Sequence, residues 1–359
     1  MNGASIKREN KTYFIKPSRH IKSDENLNPI RINNNKLNGI ETSIILDTNI
    51  LIKMERVVKS GNKWRNVKEH GLHNLVSLLK NILPCSACIS PGFALSEMPP
   101  QNAKQAHMFY EEFCSVHLPN FIDTPNCIDV SYSDRIDNYG FADLSVGGKT
   151  IIAIPFAALI YIHVAERSQQ KPIDKFKLFV DLLEDKIDCL SATEIEIAKY
   201  CFIEPDANAE ETIALRKKIR NNFVKTRDDK IPATVDEVLK VAFNGANDIR
   251  LLHVSNSVEQ TGLDGIEQDA WIATQDKKLF DFSSVFHHVN IDGEVGKYVY
   301  SNIFPELEDN YFLHAANEYV HLKIEKRINY NRTRKVSHEE IIKAAEEAII
   351  YLRDFYRDK

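Results

Sequence analysis

Residues 43–58 read SIILDTNILIKMERVV. The opening run of β-branched and aliphatic residues, ending at Leu46, predicts a short strand. NILIKMERVV then carries apolar residues at helical spacing and predicts a helix. Asp47 stands at the junction, with Asn49 two positions on. A carboxylate there serves as a helix cap, a nucleophile or the first ligand of a metal site. The remainder of the chain has to choose among these.

The chain has 359 residues, above the length at which single cores begin to divide, so one large elaborated domain or two domains are expected. Its 43% hydrophobic and 27% charged residues fit an ordinary globular composition. The longest apolar stretch, IIAIPFAALIYIHVA at 151–165, falls short of the roughly 20 residues a bilayer requires and contains Pro155 and His163. It is expected to be a buried helix, and no membrane is expected as a partner. The opening MNGASIKRENKTYF has no apolar core of a signal peptide, which implies a cytoplasmic location. The six cysteines are then expected to be reduced. Cys85 and Cys88 form a C-x-x-C, but no second pair follows to complete a zinc site.

Net charge is −5, against a strongly basic nucleic-acid binder. Residues 1–40 carry eight basic residues against three acids, a net of +5, and read as a polar, basic N-terminal arm. RKKIRNNFVKTR at 216–227 and KIEKRINYNRTRK at 323–335 are further basic clusters. A solvated helix face explains each, and so does phosphate contact; the RNA-contact candidates are Arg216, Lys217, Lys218, Arg220, Lys326 and Arg327.

Strand signals recur at CIS (88–90), DAWIATQD (269–276) and SSVFHHVNID (283–292), with helical patterns between them. The alternation predicts an α/β fold with a central, mainly parallel sheet. Residues 119–240 read as a loop followed by a mainly helical insertion, and 301–359 as a C-terminal helical segment. GGKT at 147–150 is not a phosphate loop, because position 143 is Asp where that motif needs Gly. The Asn244–Gly245 pair predicts a turn, with Asp248 opening the helix after it.

Ligands of parallel α/β sheets bind outside the carboxyl ends of the strands. Asp47 and Asp276 end strands there, Glu97 lies just beyond the strand CIS, and Asp248 opens a helix. Each has a plainer reading as a cap, turn or surface residue. A haloacid-dehalogenase phosphatase also begins with Asp at a strand end, but its second Asp is replaced by Asn49.

ILDTNILI, ISPGFALSEM, NDIRLL and IATQDKKL together resemble, in order and type, the four acidic motifs of the PIN-domain nucleases. The resemblance covers roughly residues 43–100 and 240–295, so the nuclease domain is placed at 41–300, as a PIN-like α/β/α sandwich interrupted by the insertion. About 150 residues separate the second and third motifs, far more than in compact members of the family. The resemblance implies that Asp47, Glu97, Asp248 and Asp276 hold one or two Mg²⁺ or Mn²⁺ ions for cleavage of RNA, with DNA as the other candidate substrate. It implies that Asn49 supports the first acid or meets substrate and that Thr274 orients the last. Asp264 and Asp269 are alternative acids, because the spacing from Asp248 to Asp276 is long. Hard cations prefer such oxygen donors, and a cation offsets the repulsion of clustered carboxylates. By the same resemblance, homodimers and toxin or antiviral roles are expected, with the insertion as a site for a regulatory protein partner. The alternative is an inactive PIN-like scaffold that binds nucleic acid or protein.

Overall fold

The structure, a computed structural model, describes residues 11–20, 26–121, 139–204, 209–226, 230–263, 265–291, 294–301, 307–329 and 337–357. In chain order its elements are β1 (Tyr13–Ile15), β2 (Ser18–His20), α1 (Pro29–Leu37), β3 (Glu41–Leu46), α2 (Thr48–Lys59), α3 (Trp64–Glu69) and α4 (His73–Lys80). There follow β4 (Ala87–Ser90), α5 (Gly92–Ser96), α6 (Pro100–His117), α7 (Val146–Arg167), α8 (Pro172–Leu182), α9 (Ala192–Phe202) and α10 (Glu210–Phe223). The last are α11 (Val235–Thr261), β5 (Gln268–Thr274), α12 (Lys277–Val285), β6 (Phe286–Ile291), β7 (Glu294–Ser301), α13 (Tyr311–Asn329) and α14 (His338–Arg357). The fold is mixed α/β, with a mostly parallel sheet and many helices.

Two compact units result: residues 1–139, 251–280 and 288–298 form one, and 140–250, 281–287 and 299–359 the other. The first holds a four-stranded sheet of order β1-β5-β3-β4. β5, β3 and β4 run parallel, with Leu46 opposite Ala273 and Ile45 opposite Ser90, so their carboxyl ends share one edge. β1 closes the other side antiparallel to β5. Ile44, Ile45 and Leu46 are buried, as expected of a central strand in a parallel sheet. α1 and α5 pack on β3, and α2 on β5. The expected third strand is β6, which lies in a separate sheet of order β2-β6-β7.

The expected N-terminal arm is corrected over its described residues. Ile15 and Ile32 are fully buried, Tyr13–Ile15 forms the sheet edge, and Lys16 and Arg31 both pair with Asp269. Local polarity concealed this, because the apolar partners of β1 lie some 250 residues away in sequence.

The second unit is helical in its described residues apart from the end of the β6–β7 hairpin. Helix α7 is its centre, packed on α8, α9 and α14, and it contains the stretch expected to be a buried helix. Among the described helices it is the one long and apolar enough to cross a membrane, and most of that stretch is buried inside the protein. The expected turn at Asn244–Gly245 is a second correction, for α11 runs unbroken through it. A Cβ on Gly245 would come within 2.8 Å of Leu159 Cδ1 and 3.1 Å of Phe223 Cδ1, so the glycine serves close helix packing there. The C-terminal helix α14 begins as expected with a reciprocal cap, Glu340 N–H donating to Ser337 Oγ and Ser337 N–H to the Glu340 carboxylate.

Candidate active site

Asp47 follows β3 and caps α2, its side chain accepting from the Asn49 N–H. Its own N–H continues the sheet, donating to the Ala273 carbonyl at 3.0 Å. The register therefore sets Asp47 beside Thr274, the last residue of β5. Thr274 Oγ1 donates to Asp47 Oδ2 at 2.5 Å and accepts from the Asp276 N–H at 2.9 Å. Asn49 Nδ2 also donates to Asp47 Oδ2 and lies 3.1 Å from Thr274 Oγ1. Asn49 Oδ1 accepts from the Gln275 N–H at 2.8 Å, tying the start of α2 to the end of β5. Asp276 in turn caps α12, Oδ1 accepting from the N–H groups of Lys278 at 2.7 Å and Leu279 at 3.2 Å.

A cap usually faces water, but Asp47 is only 5% exposed. Burial pushes its pKa from 3.8 up to about 6. The Thr274 hydroxyl and the Asn49 N–H pull it down, and the charge of Asp276 pushes it further up. Thr274→Val keeps the side-chain volume and deletes the hydroxyl. We expect the Asp47 pKa to rise by about one unit, read by carbon-13 carboxyl titration, since loss of a bond to the charged form favours the neutral one. An unchanged titration would show that the hydroxyl does not hold the carboxylate.

Glu97 ends α5 just beyond β4, and its Oε2 accepts from the Thr48 hydroxyl. Thr48 is the residue after Asp47, so three acids reach the carboxyl edge of three adjacent parallel strands. Thr274 Oγ1 links the Asp47 carboxylate to the Asp276 backbone N–H, the Asp276 charge acts on Asp47, and Glu97 joins by way of Thr48. Among the described residues no three His, Cys, Asp or Glu side chains form a ready-made metal cage. The donor types nevertheless fit Mg²⁺ or Mn²⁺, which take carboxylate oxygens singly or in pairs and retain water. The mutual repulsion of Asp47 and Asp276 is the condition that a cation relieves.

Asp248 lies inside α11, 13 residues past its start, in the second unit, where its carboxylate accepts from Asn222 Nδ2 at 3.0 Å. The expected helix start at Asp248 is thereby corrected. Asp269 sits at the opposite end of β5 from Thr274, bound by Lys16, Arg31, Asn35 and Trp271. Asp264 lies outside the described residues.

Of the expected RNA contacts, Arg220 is buried, paired with Glu166 and donating to the Cys201 carbonyl at 2.8 Å. Arg327 bridges the side chain and carbonyl of left-handed Asp188, each at 2.8 Å. Both guanidinium charges are met within the second unit. Lys218 pairs with Asp281 at 2.8 Å and Arg216 is half-buried, which leaves Lys217 and Lys326 exposed. Cys85 and Cys88 form no disulfide, Cys88 Sγ lying 3.1 Å from Ser43 Oγ, and Cys127 lies outside the described residues.

The sequence reading missed the basic side of the first unit. Residues 53–80 carry seven Lys or Arg against two acids, a net of +5 in a chain of net charge −5. Lys59 takes Glu55 and Arg65 takes Glu69. Charge counted in a sliding window would have found the segment.

No family model, no curated protein and no solved structure matches this chain.

Proposed function

We propose that this chain is a metal-dependent, PIN-like endoribonuclease. The observation that carries the reading is the gathering of two acids at the carboxyl edge of adjacent parallel strands: the buried Asp47 carboxylate is held by the Thr274 hydroxyl, whose oxygen accepts from the Asp276 N–H, and it feels the Asp276 charge. A pair of helix caps has no need of such a meeting, whereas a cation site does. Asp47 and Asp276, with Glu97 beside them, are the residues to hold Mg²⁺ or Mn²⁺. The ion when bound would lower the pKa of water and stabilise charge on the scissile phosphate. The protein's part is positional. Thr274 and Asn49 fix the Asp47 carboxylate, the first turn of α12 fixes Asp276, and Thr48 fixes Glu97. The resemblance to the PIN-domain nucleases implies that water is the attacking group and that the product ends are a 5′-phosphate and a 3′-hydroxyl.

Incubation with mixed RNA and DNA substrates, with and without Mn²⁺, is the direct test. We expect RNA cleavage that needs the metal and is lost in both Asp47→Ala and Asp276→Ala. Cleavage that survives chelation and both substitutions would overturn the reading. Nucleic-acid binding without cleavage under any metal would favour the inactive scaffold instead.

A further inference from the structure

We propose that Lys53 and Arg56 of α2, with His70 beside them, form a phosphate-binding subsite that holds the backbone of a single-stranded nucleic acid alongside the acidic edge. The inference rests on the nuclease reading for the identity of the ligand and on the following geometry for its place.

Asn49, Lys53 and Arg56 are spaced i, i+4 and i+7, which puts them in one row on α2. The row starts at the acids, since Asn49 touches Asp47, Thr274 and Gln275. His70 is brought to the same place by Gln275, whose Nε2 donates to the His70 carbonyl at 2.8 Å. The Lys53 and Arg56 charges both depress the His70 pKa, after burial, and Arg56 depresses that of Lys53, so the three groups lie within electrostatic reach.

Cations that exist for stability are ordinarily set against carboxylates. Among the described residues no acid pairs with Lys53 or Arg56, and the neighbouring Glu55 and Glu69 are engaged by Lys59 and Arg65. Two adjacent positive charges held together without an acid are costly alone and favourable around a polyanion. A phosphodiester strand lying along α2 would place successive phosphates over Arg56 and Lys53 and bring the next linkage to Asp47 and Asp276. An acidic polypeptide offers charge without that regular spacing, so the nucleic acid is the better occupant.

The test measures binding, not cleavage. Fluorescence anisotropy of a labelled 20-nucleotide poly(U), in the presence of EDTA, compares the wild type with Arg56→Glu, with Lys53→Glu/Arg56→Glu, and with Lys171→Glu as an exposed control on the other unit. We expect at least a tenfold loss of affinity in the double variant and a smaller loss in Arg56→Glu. The slope of log K against log salt should fall by about 1.4, near 0.7 for each lost single-strand phosphate contact. The control should bind like the wild type. Arg56 is exposed, so its single substitution leaves the core intact even where the double variant folds poorly. Unchanged affinity and slope in Arg56→Glu and the double variant would overturn the subsite. So would absence of binding by the wild type, or equal competition by polyglutamate. Binding that depends on these residues without any cleavage in Mn²⁺ would leave the subsite standing and remove the nuclease reading alone.

Discussion

Asp47→Asn is expected to make the protein more stable and to abolish cleavage. The single side-chain oxygen of asparagine can accept from Thr274 Oγ1 and Asn49 Nδ2 as Asp47 Oδ2 does, at the loss of the longer cap bond from the Asn49 N–H to Oδ1. What disappears is a charge held at 5% exposure. The native pKa of about 6 against an ordinary 3.8 implies a penalty of about 3 kcal/mol for the ionised form at neutral pH. The sign follows from proton affinity. The folded state binds this proton more tightly than the unfolded chain, so the penalty is full above about pH 6. It fades as the pH falls from 6 toward 4. Thermal midpoints of the two proteins should therefore be furthest apart near pH 7, with the variant higher, and should converge near pH 4. Cleavage should fall on the order of a thousandfold, beyond the 10–100-fold typical of residues that only orient a metal ligand. A variant that is less stable at every pH would mean that the Asp47 charge stabilises the fold instead of costing it. A more stable variant of undiminished activity would remove Asp47 from the chemistry.

The parts of this site that could be read in the sequence are those set by local periodicity. SIIL is apolar throughout because β3 lies between parallel neighbours, and the helical spacing after it gives α2, so Asp47 at a strand–helix junction was fixed within eight residues. Thr274 and Asp276 were legible for the same reason at the end of β5. What escaped was set by distant partners. Tyr13–Ile15 is only three residues, and it becomes a strand through pairing with β5. Asn244–Gly245 has the chemistry of a turn, yet Leu159 and Phe223 press so closely on Gly245 that the helix continues, which leaves Asp248 in mid-helix. Lys53 and Arg56 stand between the apolar positions of the α2 pattern, where nothing local singles them out. Their lack of acidic partners becomes visible only when the neighbours are assembled.

Asp269→Ala should destabilise the fold by about 3–5 kcal/mol without impairing the chemistry of the molecules that remain folded. Asp269 is 5% exposed, and burial alone would raise its pKa. The paired bonds from Arg31, both at 2.9 Å, and the Lys16 ammonium at 2.8 Å overcome that and hold the carboxyl well below the usual range. Trp271 Nε1 and Asn35 Nδ2 complete its shell, and the Trp271 ring lies under both cations. Removing the carboxylate leaves Lys16, itself 2% exposed, with Glu259 and the Ala270 carbonyl as partners, and removes the Arg31 bonds through which α1 clasps β5. Because the native pKa is lowered, this stabilisation is complete above about pH 4 and is lost as the pH falls toward the native value. That is the opposite slope to Asp47, although the two acids sit one register step from either end of the β3–β5 pairing. The five residue steps from Asp269 to Thr274 span about 17 Å of strand, so Asp269 stands too far along β5 to share the acidic edge. Denaturant unfolding at pH 7 and pH 4 of the wild type and the variant measures the first claim. Cleavage per folded molecule measures the second. A variant that unfolds like the wild type, or one that is fully folded yet inactive, would move Asp269 from the scaffold into the site.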